Sequence, residues 1–296
     1  MTGQRGEQAA SDLFPVLAFS EEDMVFLLED GAIGFGYICN PLPGVEQGAD
    51  HRLSVLLNAD WPEGAVLQFG LWYGADAERE ASAYEALRGR AALGDSQLAI
   101  GVRERASFLR RGAIHGIGIN SEFRIRGQEL FLTARIPCKG EQPTQKDLDF
   151  AKRLSTVTYQ ALSNLGVGPR LMGAKEYLRL VQTIVNPTES ASWRGGTKWD
   201  GRTLLRDQIL DYDSPIRWYP NGVGLGDAGQ GNPEALVRSL SIKDWPNETF
   251  FGFAQRFIGD PFTGNRGIPD PVLVTASIRF PSAEKMRAHT ERMRQL

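Results

Sequence analysis

The segment Gly224-Leu225-Gly226-Asp227-Ala228-Gly229 has the G-x-G-x-x-G spacing of a dinucleotide-binding loop and follows a strand-like run. Such a loop works by placing its last glycine at a helix N-terminus, where backbone amides and the helix dipole hold a pyrophosphate. Here the chain continues Gln230-Gly231-Asn232-Pro233 into a β-rich segment, so Gly224, Gly226 and Gly229 are expected to serve a flexible strand connection and to act as a decoy. Arg194-Gly195-Gly196-Thr197-Lys198 superficially resembles a phosphate loop. A Walker A loop needs lysine directly after its last glycine and a hydroxyl after the lysine, whereas Thr197 precedes Lys198 and Trp199 follows it.

The other chemistry-bearing residues are scattered. His51, His115 and His289 stand far apart, and Cys39 and Cys138 form no C-x-x-C pair, so no metal site is expected. Both cysteines fall in or beside apolar strand-like segments and are expected as buried free thiols in a reducing, cytoplasmic compartment. Asp207, Asp211 and Asp213 could supply paired carboxylates, with a solvated loop as the default. No G-x-S-x-G nucleophile elbow occurs. Arginines concentrate between Arg103 and Arg126, which raises a nucleic-acid-binding module as a third reading. The formal net charge of −3 over 296 residues opposes a dedicated nucleic-acid binder, since phosphate neutralisation supplies most of the affinity of such proteins.

The elements that would position these residues follow from periodicity and turn chemistry. Met24–Leu28 and Ala32–Cys39 are expected strands joined by the turn Glu29-Asp30-Gly31, with Asn40-Pro41-Leu42-Pro43-Gly44 stopping the second. A short helix over His51–Leu57 ends at Trp61-Pro62-Glu63-Gly64, and Ala65–Tyr73 reads as a third strand. Residues 75–112, rich in charge and alanine, read as helical or partly mobile, and Leu130–Ile136 as a strand closed by Pro137. Thr144 caps the clearest helix, with Asp147 in its first turn, Leu148, Ala151, Leu154, Val157, Ala161, Leu162 and Leu165 as its apolar stripe, and Gly166 as its stop.

A further helix is expected over Glu176–Val185, then strands at Ile216–Tyr219 and Ala235–Ile242, a short helix over Thr249–Phe257 and a strand over Pro271–Phe280. Ser282 opens a last helix whose Met286, His289, Met293 and Leu296 share a face, and its lack of a C-terminal stop suggests a fragment of something longer. The order implies an α+β chain of mainly antiparallel sheets with packed helices, and it allows two related subdomains. The expected division is a disordered leader at 1–12, a first subdomain at 13–185, a polar linker at 186–201 and a second subdomain at 202–296. No charge-free apolar run approaches the ~18 residues that span a bilayer, and the N-terminus lacks a signal-peptide core.

The combination of Asp30, Gly34-Phe35, Pro41 and Gly44 resembles the start of TraC-type conjugative-transfer ATPases of F-like type IV secretion systems. Trp61-Pro62-Glu63-Gly64 looks like that family's Pro-x-Gly turn, and Leu236–Ser241, Trp245-Pro246 and Pro271–Ser277 resemble the segment before its helical connection to the motor. The resemblance implies an N-terminal docking and assembly domain, non-catalytic by itself. The family's ATP and magnesium site belongs to a C-terminal RecA-like domain, and this sequence has no Walker residues to match it, so no cofactor is expected here. Implied partners are inner-membrane and cytoplasmic components of the secretion apparatus and further copies of the protein, at the cytoplasmic face of the bacterial inner membrane. The rival reading, from a different class, is a small-molecule or nucleotide-binding enzyme using the glycine-rich loop at 222–231.

Overall fold

The computed structural model describes residues 10–42, 48–91, 93–117, 124–140, 142–212, 214–241, 268, 270–282 and 284. The expected helices at 249–257 and 282–296, together with Gly44, Trp245, Pro246, Asp213 and His289, lie outside these residues or almost wholly so. By its internal contacts the chain divides into two compact units, residues 1–70, 130–241 and 275–296, and residues 71–129 and 242–274. These units do not follow the boundaries expected from composition.

The described architecture is α+β, with antiparallel sheets and five α-helices among the described residues. The main sheet consists of β1 (Val16–Ser20), β2 (Val25–Leu28), β3 (Ile33–Cys39), β5 (Gly127–Ile136), β4 (Val66–Gly74) and β10 (Val272–Arg279), in that spatial order, with β6 (Arg170–Leu171) also pairing with β3. The β2–β3 hairpin forms as expected, with Gly31 at φ 74°, the positive value that such a turn demands of glycine. Every residue of β3 is buried, and it pairs along its whole length with β5, Ile33 opposite Ile136 and Cys39 opposite Leu130.

One face of β3 carries Ile33, Phe35, Tyr37 and Cys39 into a core shared with Leu56, Leu67, Leu132, Leu154 and Leu162. That core is covered by α1 (Ala49–Leu57) and α4 (Gln145–Asn164), which pack on each other. On the opposite face Gly36 leaves room for Met172, whose sulfur would lie 3.1 Å from an added Cβ, and Phe26 meets Tyr177 of α5 (Ala174–Val185) with ring centroids 5.2 Å apart. Burial of the Cys39 thiol pushes its pKa up to about 11, so it stays protonated and inert at neutral pH.

α4 starts at the expected cap. The Thr144 hydroxyl and backbone amide donate to Asp147 at 2.6 and 2.9 Å. The stripe differs at one place: Val157 is 40% exposed and Thr158 is fully buried. Position 158 lies four residues beyond Leu154 on the covered face, and its hydroxyl is satisfied by the Leu154 carbonyl at 2.8 Å, so the polar residue enters at little cost.

Residues 186–201, expected as a linker, are packed into the first unit. Asn186 is wholly buried and Trp193, in a 3-10 turn at Ser192–Gly195, is 2% exposed. A three-stranded antiparallel meander follows: β7 (Ile216–Tyr219), β8 (Gly222–Leu225) and β9 (Ala235–Val237). In the second unit, residues 75–112 form two helices, α2 (Glu78–Gly89) and α3 (Ser96–Ile114), packed on each other.

Candidate functional site

The residues of the opening motif meet around the β2–β3 turn. Asp30 pairs with Arg135 of β5 and accepts the Ala32 amide at 3.2 Å, while Glu29 pairs with Arg206 at 3.2 Å. Arg206 also lies 3.6 Å from Asp12, so one guanidinium ties three distant segments of the chain together. The Arg135 guanidinium and the Ala32 amide outweigh partial burial and hold the Asp30 carboxyl below its ordinary pKa. Gly34 sits where an added Cβ would press on the Ala134 carbonyl and the Leu28 side chain at 3.3 Å. Phe35 is in the core, and Pro41 stands two residues beyond the end of β3.

The second motif is a turn. The Ala65 amide bonds to the Pro62 carbonyl, Gly64 takes φ 79°, and the Gly64 amide reaches the Phe280 carbonyl at 2.9 Å. Trp61 stacks on Phe280 at 5.0 Å between ring centroids, faces Phe35 at 6.5 Å, and donates its indole N–H to the Leu56 carbonyl. These residues set turns and packing. None of them brings a nucleophile beside a base.

The glycine loop is built differently from a dinucleotide site. Gly224 lies within β8, where an added Cβ would strike the Tyr219 ring at 2.5 Å and Pro233 at 2.8 Å. Gly226 and Gly229, at φ 72° and 89°, turn the chain back into β9 rather than into a helix. Asp227 accepts the Gly229 amide and pairs with Arg217 at 2.9 Å. Burial, with Asp227 and Glu189 nearby, raises the pKa of Glu234, whose carboxylate lies 3.0 Å from the position of a Cβ on Gly226.

The remaining candidates are dispersed or committed elsewhere. Thr197 donates to Gln182, and the next helical segment after it is the 3-10 turn Leu205–Gln208 rather than the α-helix that follows a phosphate loop. Asp211 accepts from the Ser192 amide and hydroxyl, and Asp207 is exposed, so the structure does not present these two as an acid–base pair. Among the described residues no group of three His, Cys, Asp or Glu side chains could hold a metal ion, and Cys39 and Cys138 are free thiols. In the arginine-rich region, Arg110 grips Glu78 and Glu85 and Arg126 is partly buried, whereas Arg103, Arg105 and Arg111 are exposed.

Sequence reasoning missed the Asn186 junction. The Asn186 amide donates to the Ile209 carbonyl at 2.8 Å, its side-chain oxygen accepts the Asp211 amide, and its backbone carbonyl accepts the Trp193 indole N–H. The signal was faint: two tryptophans, Trp193 and Trp199, inside a stretch of mainly polar residues and glycine.

The chain thus belongs to the class of α+β domains with antiparallel sheets, and its opening motifs set turns, ion pairs and stacked rings. The family profile described as TraC protein matches residues 10–296, and the chain belongs to that family. Membership places it in F-type conjugative transfer by type IV secretion. A search of curated proteins finds no match. No described helix is long and apolar enough to cross a membrane.

Proposed function

We propose that this chain is the N-terminal docking and assembly domain of a conjugative-transfer ATPase, non-catalytic by itself. The family match over residues 10–296 carries the reading. The motif residues support it, because Asp30, Gly34, Phe35, Pro62 and Gly64 are spent on turn and core geometry. The domain presents surfaces to inner-membrane and cytoplasmic components of the secretion apparatus and to further copies of the protein, at the cytoplasmic face of the inner membrane. It takes no cofactor, since ATP and magnesium belong to a RecA-like motor domain, and it binds nucleic acid weakly at most.

Affinity capture of the tagged chain from detergent extracts of donor cells tests this, with and without the transfer genes. Detergent removes the bilayer, so only protein contacts are read. Transfer-gene-encoded inner-membrane components should co-purify, and absence of all of them would remove the docking role.

A further inference from the structure

The closed end of the α2–α3 hairpin is unusual in what it exposes. Leu87 in the last turn of α2 is 73% exposed, Leu93 in the connection 82%, and Leu98 and Ile100 in the first turns of α3 are 56% and 46% exposed. The two helices run antiparallel, because Arg110 near the end of α3 pairs at 2.7 Å with Glu78 at the start of α2. The four apolar side chains therefore gather at one end. Exposed Arg88 lies in the last turn of α2, Arg90 in the connection and Arg103 in the second turn of α3, with the exposed carboxylates of Asp95 and Glu104 among them. Arg105, further along α3, lies over the Phe108 ring at 5.6 Å. Asp95 is itself engaged as the cap of α3, accepting from the Gln97 and Leu98 amides at 2.9 and 3.1 Å.

The hairpin behind this end is held from within. Ala81, Ala106 and Ala113 are buried in it, and Arg110 bridges both Glu78 and Glu85. Its exposed leucines are thus not needed to hold the two helices together. They also do not form the single i, i+4 stripe that a groove-binding helix presents. Apolar side chains spread over a helix end, a connection and a helix start suit a fluid apolar layer that closes around them. Flanking guanidiniums then meet anionic headgroups while their methylene stems remain in the apolar zone.

We propose that the α2–α3 tip is a membrane-contact element that dips Leu87, Leu93, Leu98 and Ile100 into an anionic lipid surface and holds phosphate headgroups with Arg88, Arg90 and Arg103. This rests on the docking reading only for the choice of membrane.

The purified full chain is sedimented with phosphatidylglycerol vesicles and, separately, with phosphatidylcholine vesicles. It should sediment with the anionic vesicles alone. The partition coefficient should fall about fivefold for each arginine removed in Arg88→Gln/Arg103→Gln. Leu93→Gln/Leu98→Gln should abolish sedimentation. Both changes are at exposed positions, and an unchanged circular-dichroism melt confirms folding. Trp218→Ser, at a residue of the meander that is 72% exposed, should bind like the parent. No sedimentation with anionic vesicles, persistence of binding in both double variants, or equal loss in Trp218→Ser would each overturn the proposal. A tip that instead recognises an acidic protein gives the first of these results. Because the vesicles carry no protein, a negative result leaves protein docking standing, and failed capture in detergent leaves lipid contact standing.

Discussion

Asn186 shows how one polar side chain can organise a segment that composition describes as loose. It makes bonds that no apolar residue of its size can reproduce, to the Ile209 carbonyl and the Asp211 amide, at a position with no solvent exposure. Asn186→Ala should leave the buried Ile209 carbonyl and the part-buried Asp211 amide without their partner, at about 1–3 kcal/mol each, and lower stability by roughly 2–6 kcal/mol in urea titration. A loss under about 1 kcal/mol would mean that water replaces the amide. The junction was hidden in the sequence because Asn, Pro, Thr, Ser and paired Gly carry the same turn signals whether a segment is tethered or free. Asp30 and Gly31 were legible for the opposite reason: a positive-φ turn between two apolar runs leaves few options.

At the scale of elements, α4 was the most readable because cap, stripe and stop agree. Its single deviation, Thr158 for Val157, reflects angular drift of an α-helix that spacing alone resolves poorly. Charge in 75–112 obscured the α2–α3 pair, since helices that bury mainly alanine leave almost no apolar stripe. The α4 cap supports a quantitative test. Thr144→Ala should cost ~1 kcal/mol near neutral pH. The hydrogen bonds from Thr144 hold the Asp147 pKa below its ordinary value. A depressed carboxylate contributes stability that is full above the unfolded value of about 3.9 and is lost as pH falls through the folded one. The gap between parent and Thr144→Ala should therefore narrow as pH falls below the unfolded value and through the depressed folded one, read by urea melts at falling pH. A constant gap would show that the hydroxyl caps the helix only as an acceptor for the Asp147 amide, with its bond to the carboxylate contributing nothing.

For the whole molecule, fold class and sheet character could be read from the order of elements, but the division into units could not. A unit assembled from residues 71–129 and 242–274 is discontinuous in sequence, and composition along a chain reports only contiguous boundaries. The same limit applies to function. Spacing suggested a nucleotide loop, and only three-dimensional context shows what surrounds those glycines. A pyrophosphate needs amides converging from a helix start and a positive or neutral setting. Gly226 instead faces the Glu234 carboxylate, Asp227 stands beside it, and Arg217, the cation at hand, is already paired with Asp227. Bringing a nucleotide's negative charge there would oppose two carboxylates and displace an existing ion pair. Isothermal titration of the purified chain with Mg-ATP should accordingly give no site. Micromolar binding at one site per chain, lost in Gly226→Val, would restore the nucleotide-enzyme reading. Binding that survives Gly226→Val would place a nucleotide elsewhere in the chain and equally sink the non-catalytic docking role.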